Sequence, residues 1–293
     1  MLTLAHVSDL HLAIEPRGSQ LLGKRGLGLI NWRRKRQTIH RRDVLDALTH
    51  DLKAHPAAHI AVTGDLVNFS LPAEYALAGD WLRSLGDPRD VTVLPGNHDV
   101  YVRGAEPMPA QYWADYMRGD DGLDRFPFVR RRGDVALIAL SSAVATGPFM
   151  ATGTLGARQL ARFAEALDQT QDVFRVVLIH HPPWSPPQRY LRRLTDAAAL
   201  CRVLVEKGAE LLLHGHDHRS SLVWLDGPGG GKIPAAGVPS ASAEGAHGEE
   251  SAAAYHLFTI EGTAKAGKSR CEMIVRQRRA DGTIGEVDRQ ELF

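Results

Sequence analysis

Cysteine is nearly absent: Cys201 and Cys271 are the two in 293 residues. Two isolated thiols build neither a thiolate metal site nor a disulfide framework, and they suit a reducing compartment. Long apolar runs are missing as well, and no window approaches the ~18 apolar residues of a membrane span. The opening stretch MLTLAHVSDLHL enters strand-like sequence at once. It lacks the basic flank, apolar run and cleavage site of a secretory leader, so a cytoplasmic location is expected. Internal repeats and low-complexity linkers are also lacking, and one unit over 1–293 is expected.

Acidic residues are absent from one place in particular. Residues 17–42, RGSQLLGKRGLGLINWRRKRQTIHRR, hold nine Lys or Arg and no Asp or Glu. Net charge is only +1, so the remainder, with 26 basic against 34 acidic residues, carries about −8. Leu21, Leu22, Leu27, Leu29, Ile30 and Trp32 are interleaved with those cations. Such a composition suits a peripheral, amphipathic piece at an anionic membrane surface. A phosphate backbone is another partner that it fits. The plain structural alternative is a solvated helix start and a loop packed on a sheet.

Short apolar runs recur, with helical patterns between them. LTLAHV (2–7), HIAVT (59–63), VTVLP (91–95), VALIAL (135–140), FRVVLIH (174–180) and ELLLH (210–214) read as buried strands. Val44, Leu45, Leu48 and Leu52 repeat at helical spacing, as do Leu160, Phe163, Ala164 and Leu167. Residues 72–86 open on Pro and close on Gly, and 195–208 open on a Thr195 or Asp196 cap. Alternating strands and helices predict an α/β sheet covered by helices. Beyond residue 218 the pattern turns to antiparallel strands between Gly-rich turns, with a β-hairpin at about 254–290. Regions 103–133 and 143–155 read as loops near the site that shape specificity.

Polar clusters follow the apolar runs in order. HVSDLHL supplies Asp9 and His11, and AVTGDLVN supplies Asp65. VLPGNHDV supplies Asn97, His98 and Asp99; LIHHPPW supplies His180 and His181; LLHGHDH supplies His216 and His218. Ligands of open α/β sheets bind beyond the carboxyl ends of strands, where these groups fall. Gly64, Gly96 and Gly215 sit beside them, as sharp turns require. Any one cluster is more often a cap or turn than a ligand set; five in succession point to metal. A nitrogen and oxygen donor set without sulfur favours Fe, Mn or Zn over calcium. The donors outnumber one substrate-binding site, so two ions sharing a bridging carboxylate fit better. His40, His50, His55, His59 and His256 fall outside these clusters and read as surface or satisfied core residues. His214, on the strand itself, reads as structural.

The ordered blocks D-x-H, G-D, G-N-H-D, H-x-P-P and G-H-x-H over residues 9–218 resemble the calcineurin-like metallophosphoesterase superfamily. The resemblance implies a four-layer αββα sandwich with two mixed sheets and the metal site at the carboxyl ends of the strands. It also implies one metal held by Asp9, His11, Asp65 and His218, and a second by Asp65, Asn97, His180 and His216. Members with H-x-P-P align on His180, which also ends the apolar run, so His180 is preferred to His181. The tyrosine-ligated acid phosphatases of the superfamily carry Tyr three residues after the bridging Asp; Asn68 stands there, so no tyrosine-to-iron charge-transfer band is expected.

The expected chemistry is hydrolysis of a phosphoester by metal-activated water. His98 is expected to contact the phosphate and protonate the leaving oxygen, with Asp99 orienting its ring. GDLVNFSLPAEY followed by a helix is similar to the cyclic-nucleotide and glycerophosphodiester branch, which implies a phosphodiesterase acting on a small nucleotide or glycerophosphodiester. The basic segment raises an alternative, a lipid-linked phosphodiester or pyrophosphate at a membrane, as in the lipid A precursor hydrolases. A nuclease is a further alternative, opposed by the acidic remainder of the chain and by the lack of room for a capping domain. Every ligand position of the resemblance is filled, which favours an enzyme over a scaffold.

Overall fold

The computed structural model describes residues 1–262 and 269–293. Two six-stranded mixed sheets form its centre. The first runs β1 (Leu2–Val7), β2 (His59–Val62) and β3 (Val91–Val93) in parallel, then adds β10 (Ala254–Glu261), β11 (Arg270–Arg278) and β12 (Ile284–Glu291) antiparallel on the far side of β1. In the second, β5 (Val135–Ala139), β6 (Phe174–Leu178), β7 (Leu211–His214) and β9 (Lys232–Gly237) are parallel. β4 (Phe128–Arg132) and β8 (Ser221–Asp226) form its antiparallel edges.

Side-chain alternation decides which face each strand gives to which layer. Leu137, Ala139, Val176, Leu178, Leu211 and Leu213 point into the core shared with the first sheet. Their alternates Ile138, Val177 and Leu212 belong to a separate cluster with Phe163, Leu167, Leu200 and Leu204. Those four lie on α6 (Ala157–Asp168) and α7 (Ala197–Lys207), which cover the second sheet. On the first sheet, α3 (Arg42–Ala54) buries Val44, Leu45, Leu48 and Leu52, and α4 (Pro72–Leu85) buries Tyr75, Ala78, Trp81 and Leu82. The αββα sandwich is therefore present, with helices, two sheets and helices in succession.

Three strands go beyond the sequence expectation. β4 reads FVRRR, and its Arg130 is buried because the guanidinium donates to the carbonyls of Pro88, Val91, Asp115 and Arg118. β9 carries Pro234, a residue that argues against an interior strand. Yet β9 lies between β7 and β8, with Pro234 opposite Trp224. The expected hairpin at 254–290 is a three-stranded meander once β12 is counted. Region 103–133 is not all loop: it contains α5 (Met108–Trp113) and β4, and its Trp113 packs on Tyr75.

Candidate metal centre

Five strand ends meet where the two sheets share an edge. Asp9 and His11 follow β1, Asp65 follows β2, and Asn97 and His98 follow β3. From the second sheet, His180 follows β6, and His216 and His218 follow β7. All eight side chains are buried. Backbone hydrogen bonds fix the loops to one another: the Asp9 and His11 amides donate to the carbonyls of Gly64 and Asp65. The Glu74 carboxylate on α4 accepts from the amides of Ile14, Phe69 and Leu71, tying the loops after His11 and Asp65 together.

The local backbone is unusual. Among the described residues, seven non-glycines have positive φ, and five of them are Asp9 (56°), His11 (49°), Asp65 (54°), His216 (69°) and His218 (54°). This left-handed conformation is sparsely populated by side-chain-bearing residues and is held only by surrounding structure. Close approach also dictates glycine at two neighbours. A Cβ on Gly96 would lie 2.3 Å from Asp65 Oδ1, and one on Gly215 would lie 2.3 Å from Asp9 Oδ2.

The donor atoms face inward in two adjoining groups. His218 Nε2 lies 3.1 Å from Asp9 Oδ1 and 3.0 Å from His11 Nε2. Next to them, His180 Nε2 lies 3.2 Å from Asn97 Oδ1 and 3.5 Å from Asp65 Oδ2. Ligand atoms of Asp65 fall within 4.8 Å of those of Asp9 and His180, and likewise of those of His11 and His98, so Asp65 stands between the groups. His216 donates through Nε2 to the Arg192 carbonyl at 2.8 Å, which leaves Nδ1 with a lone pair.

Hydrogen bonding also separates His180 from its neighbour. His180 Nδ1 donates to the Thr63 carbonyl at 2.7 Å, so Nε2 faces the acids. Both nitrogens of His181 are engaged, Nδ1 with Ser142 Oγ at 2.7 Å and Nε2 with the Ala151 carbonyl at 3.1 Å. His214 is structural as expected, bonded to the Gly215 carbonyl and set edge-on against Trp184.

Charge balance agrees with a cation site. Asp9 and Asp65 are at 0% and 2% exposure, where an uncompensated carboxylate is strongly disfavoured. Burial alone would lower His180 and His218, yet Asp65 raises the first to about 9, and Asp9 with Glu250 raises the second to about 9. Protons on these rings supply positive charge that cations would otherwise supply. Asp65 is held well below the usual carboxylate range by His180 and His98 against the effect of burial. Two rings at 3.0 Å, buried acids and a nitrogen and oxygen donor set fit divalent transition metals.

Two expectations change. Asp99 does not orient His98: its oxygens accept from the amides of Val67 (3.0 Å) and Gly96 (2.8 Å). Burial and the nearby Asp65 push Asp99 up to about 8. The main-chain carbonyl of Asn68 orients His98 instead, accepting from Nδ1 at 2.7 Å. His40 is no bystander either; its ring packs 4.5 Å from that of His11, and its Nδ1 meets Ser240 and Ser242. The chain from 24 to 40 folds back over the site, which no periodicity announces. Of the other bystanders, His55 bonds the Asp51 carbonyl and His59 bonds Thr92, while buried His59 and His256 each keep an Nδ1 without a partner.

That folded-back segment roofs a cleft of about 520 Å³ above the donor groups. Its α1 (Lys24–Asn31) buries Leu29 against Phe69 and Leu71. Arg25 donates to the carbonyls of Phe69 and Ser70, and Lys24 lies over the Tyr101 ring, which stacks on His98. A wider turn at 32–36 follows and brings Arg36 inward, its Nη1 2.8 Å from His98 Nε2. Arg192 lines the same cleft, and Phe149 and Met150 form its other wall. Sequence reasoning missed Arg36 and Arg192; the acid-free run signalled cations around Arg36 without saying which one turns inward, and no pattern marked Arg192.

Residues 2–220 match the family model described as calcineurin-like phosphoesterase, and the chain belongs to that family. A curated relative is the glycerophosphodiester phosphodiesterase GpdQ of Enterobacter lignolyticus (strain SCF1), 28% identical over 183 residues. The match covers 61% of this chain and 56% of that protein. Among solved structures, the purple acid phosphatase PPD1 of yellow lupin (Lupinus luteus) seeds superposes with a TM-score of 0.58 at 13% identity. That superposition covers 97% of this chain and 52% of the lupin chain, and it shows a shared fold.

Proposed function

We propose that this protein is a dinuclear-metal phosphodiesterase acting on a small phosphodiester of the nucleotide or glycerophosphodiester kind. Asp9, His11, Asp65 and His218 would hold one cation, and Asp65, Asn97, His180 and His216 the other. Such a pair supplies Lewis acidity and a water acidified toward ~7. The rest falls to the chain. Arg36 and Arg192 bring positive charge to the cleft above the donors, where phosphate oxygens would sit. The Asn68 carbonyl fixes the tautomer of His98, so that Nε2 is the atom turned to Arg36 and the cleft. His98 is thereby set to meet a phosphate oxygen and to serve the leaving oxygen through Nε2.

The observation that carries this reading is the convergence of seven buried nitrogen and oxygen side chains from five strands, five of them on left-handed backbone. The family and the likeness to GpdQ support the reaction class. The charge of about −8 outside residues 17–42 weighs against a nuclease. The test is metal analysis together with hydrolysis of bis(p-nitrophenyl) phosphate against p-nitrophenyl phosphate. Two metals per chain and a preference for the diester are expected. Protein inert after reconstitution with manganese, iron and zinc would refute the proposal.

A further inference from the structure

The roof has an outer face that the proposed chemistry does not use. On α1, Leu29 points inward, while Leu27 and Ile30, three residues apart, share the opposite side. Leu22 is 77% exposed, Ile30 51% and, across the cleft, Phe149 81%. These side chains are not scattered. Leu27, Ile30, Phe149 and Met150 border one opening, Leu21 lies against Gly26, and Leu191 is tied by its carbonyl to the Ala151 amide. Lys24 joins the two banks through Thr146 Oγ1 and the Met150 carbonyl. Apolar side chains thus border the mouth of a polar cleft, with exposed Leu21, Leu22 and Leu191 on the adjoining backbone, an arrangement that marks interaction surfaces.

Charge identifies the occupant. Glu15, Asp43 and Asp46 neutralise Arg33, Arg41 and Arg42. Lys24, Arg25 and Arg36 of the same segment turn inward, but among the described residues Arg17 and Arg34 are exposed without a carboxylate partner. Exposed cations beside exposed leucine, isoleucine and phenylalanine match a surface that is negative at its headgroups and apolar just below them. We infer that the rim formed by residues 21–30 and 149–150 docks on an anionic phospholipid bilayer, so that the cleft opens onto the headgroup layer. This extends the phosphodiesterase proposal toward substrates that reside in membranes, but the docking stands apart from it.

The experiment is co-sedimentation of the metal-loaded full chain with phosphatidylcholine vesicles and with vesicles that also contain phosphatidylglycerol. Binding is expected to the anionic vesicles alone and to weaken at high salt. A double substitution, Leu21→Asp with Leu22→Asp, lies outside the cleft and should lower vesicle partitioning by about tenfold or more. Its hydrolysis of bis(p-nitrophenyl) phosphate without vesicles should match the parent. Failure of the parent to sediment with anionic vesicles at low salt would overturn the inference, as would equal partitioning of parent and variant. Light scattering that shows a dimer abolished by the variant, with no vesicle binding, would assign the rim to a second copy and overturn it too. Activity in vesicle-free buffer reports on the phosphodiesterase proposal separately.

Discussion

Replacing Arg36 with Ala removes the one roof cation that, among the described residues, reaches a strand-end side chain of the site. The guanidinium contacts His98 Nε2 at 2.8 Å and Asn68 Oδ1 at 3.4 Å, with no carboxylate among the described residues. A charge-assisted hydrogen bond to a phosphate in a partly desolvated cleft contributes about 1.5–3 kcal/mol. At 1.36 kcal/mol per decade, kcat/KM should fall roughly 10- to 150-fold. Arg36→Lys keeps the charge and loses the planar fork, so it should recover part of that loss. Steady-state kinetics on bis(p-nitrophenyl) phosphate measure the effect, with metal content determined on the same samples. Metal content should stay at the parent level, because Arg36 carries no lone pair for a cation. A fall in kcat/KM of less than about threefold would refute the phosphate role. Loss of metal would show that Arg36 instead holds the loops together.

Three further outcomes test other parts of the site and scaffold. Asp65→Ala should empty the centre and abolish hydrolysis, because its carboxylate lies between the two donor groups; metal analysis decides. His180→Ala should lose one metal equivalent, whereas His181→Ala should keep both and lose about 2 kcal/mol of stability with its two hydrogen bonds; a metal titration and urea midpoints separate them. Away from the site, Asp51 accepts from Arg276 at 2.7 and 2.8 Å and from the Tyr255 hydroxyl at 2.7 Å. Burial opposes them, but these partners hold its carboxyl below the ordinary value. The stability that it contributes is therefore present above ~3.9 and lost as pH falls through the depressed folded value. Asp51→Asn should flatten the acid limb of a plot of urea midpoint against pH.

Much of the centre was legible because its residues sit where strand ends must put them. Asp9, His11, Asp65, Asn97, His180, His216 and His218 each follow a Val- or Leu-rich run, and chain order alone brings them to one edge. The strand pattern by itself did not divide them between two sheets; the two sheets came from the motif resemblance. That pattern shows where elements begin and end, but not which ones pair. β9 escaped notice because Pro234 hides a strand that needs no amide there. Arg36, His40 and Arg192 escaped because they lie on irregular backbone, whose path is set by tertiary contacts such as Leu29 on Phe69. Asp99 was misassigned because adjacency in GNHD suggested a contact with His98, whereas the turn aims its carboxylate at the amides of Gly96 and Val67.

The left-handed turns at Asp9, His11, Asp65, His216 and His218 have a thermodynamic corollary. At about 1 kcal/mol per residue, five of them amount to roughly 5 kcal/mol, as much as the entire net stability of a modest domain. Under the proposed metal assignment, cation uptake would offset part of that deficit, and occupancy of the centre would be linked to persistence of the folded chain. In a cell starved of transition metal, such a protein would be depleted by proteolysis of its loosened form, and its abundance would track the free-metal pool.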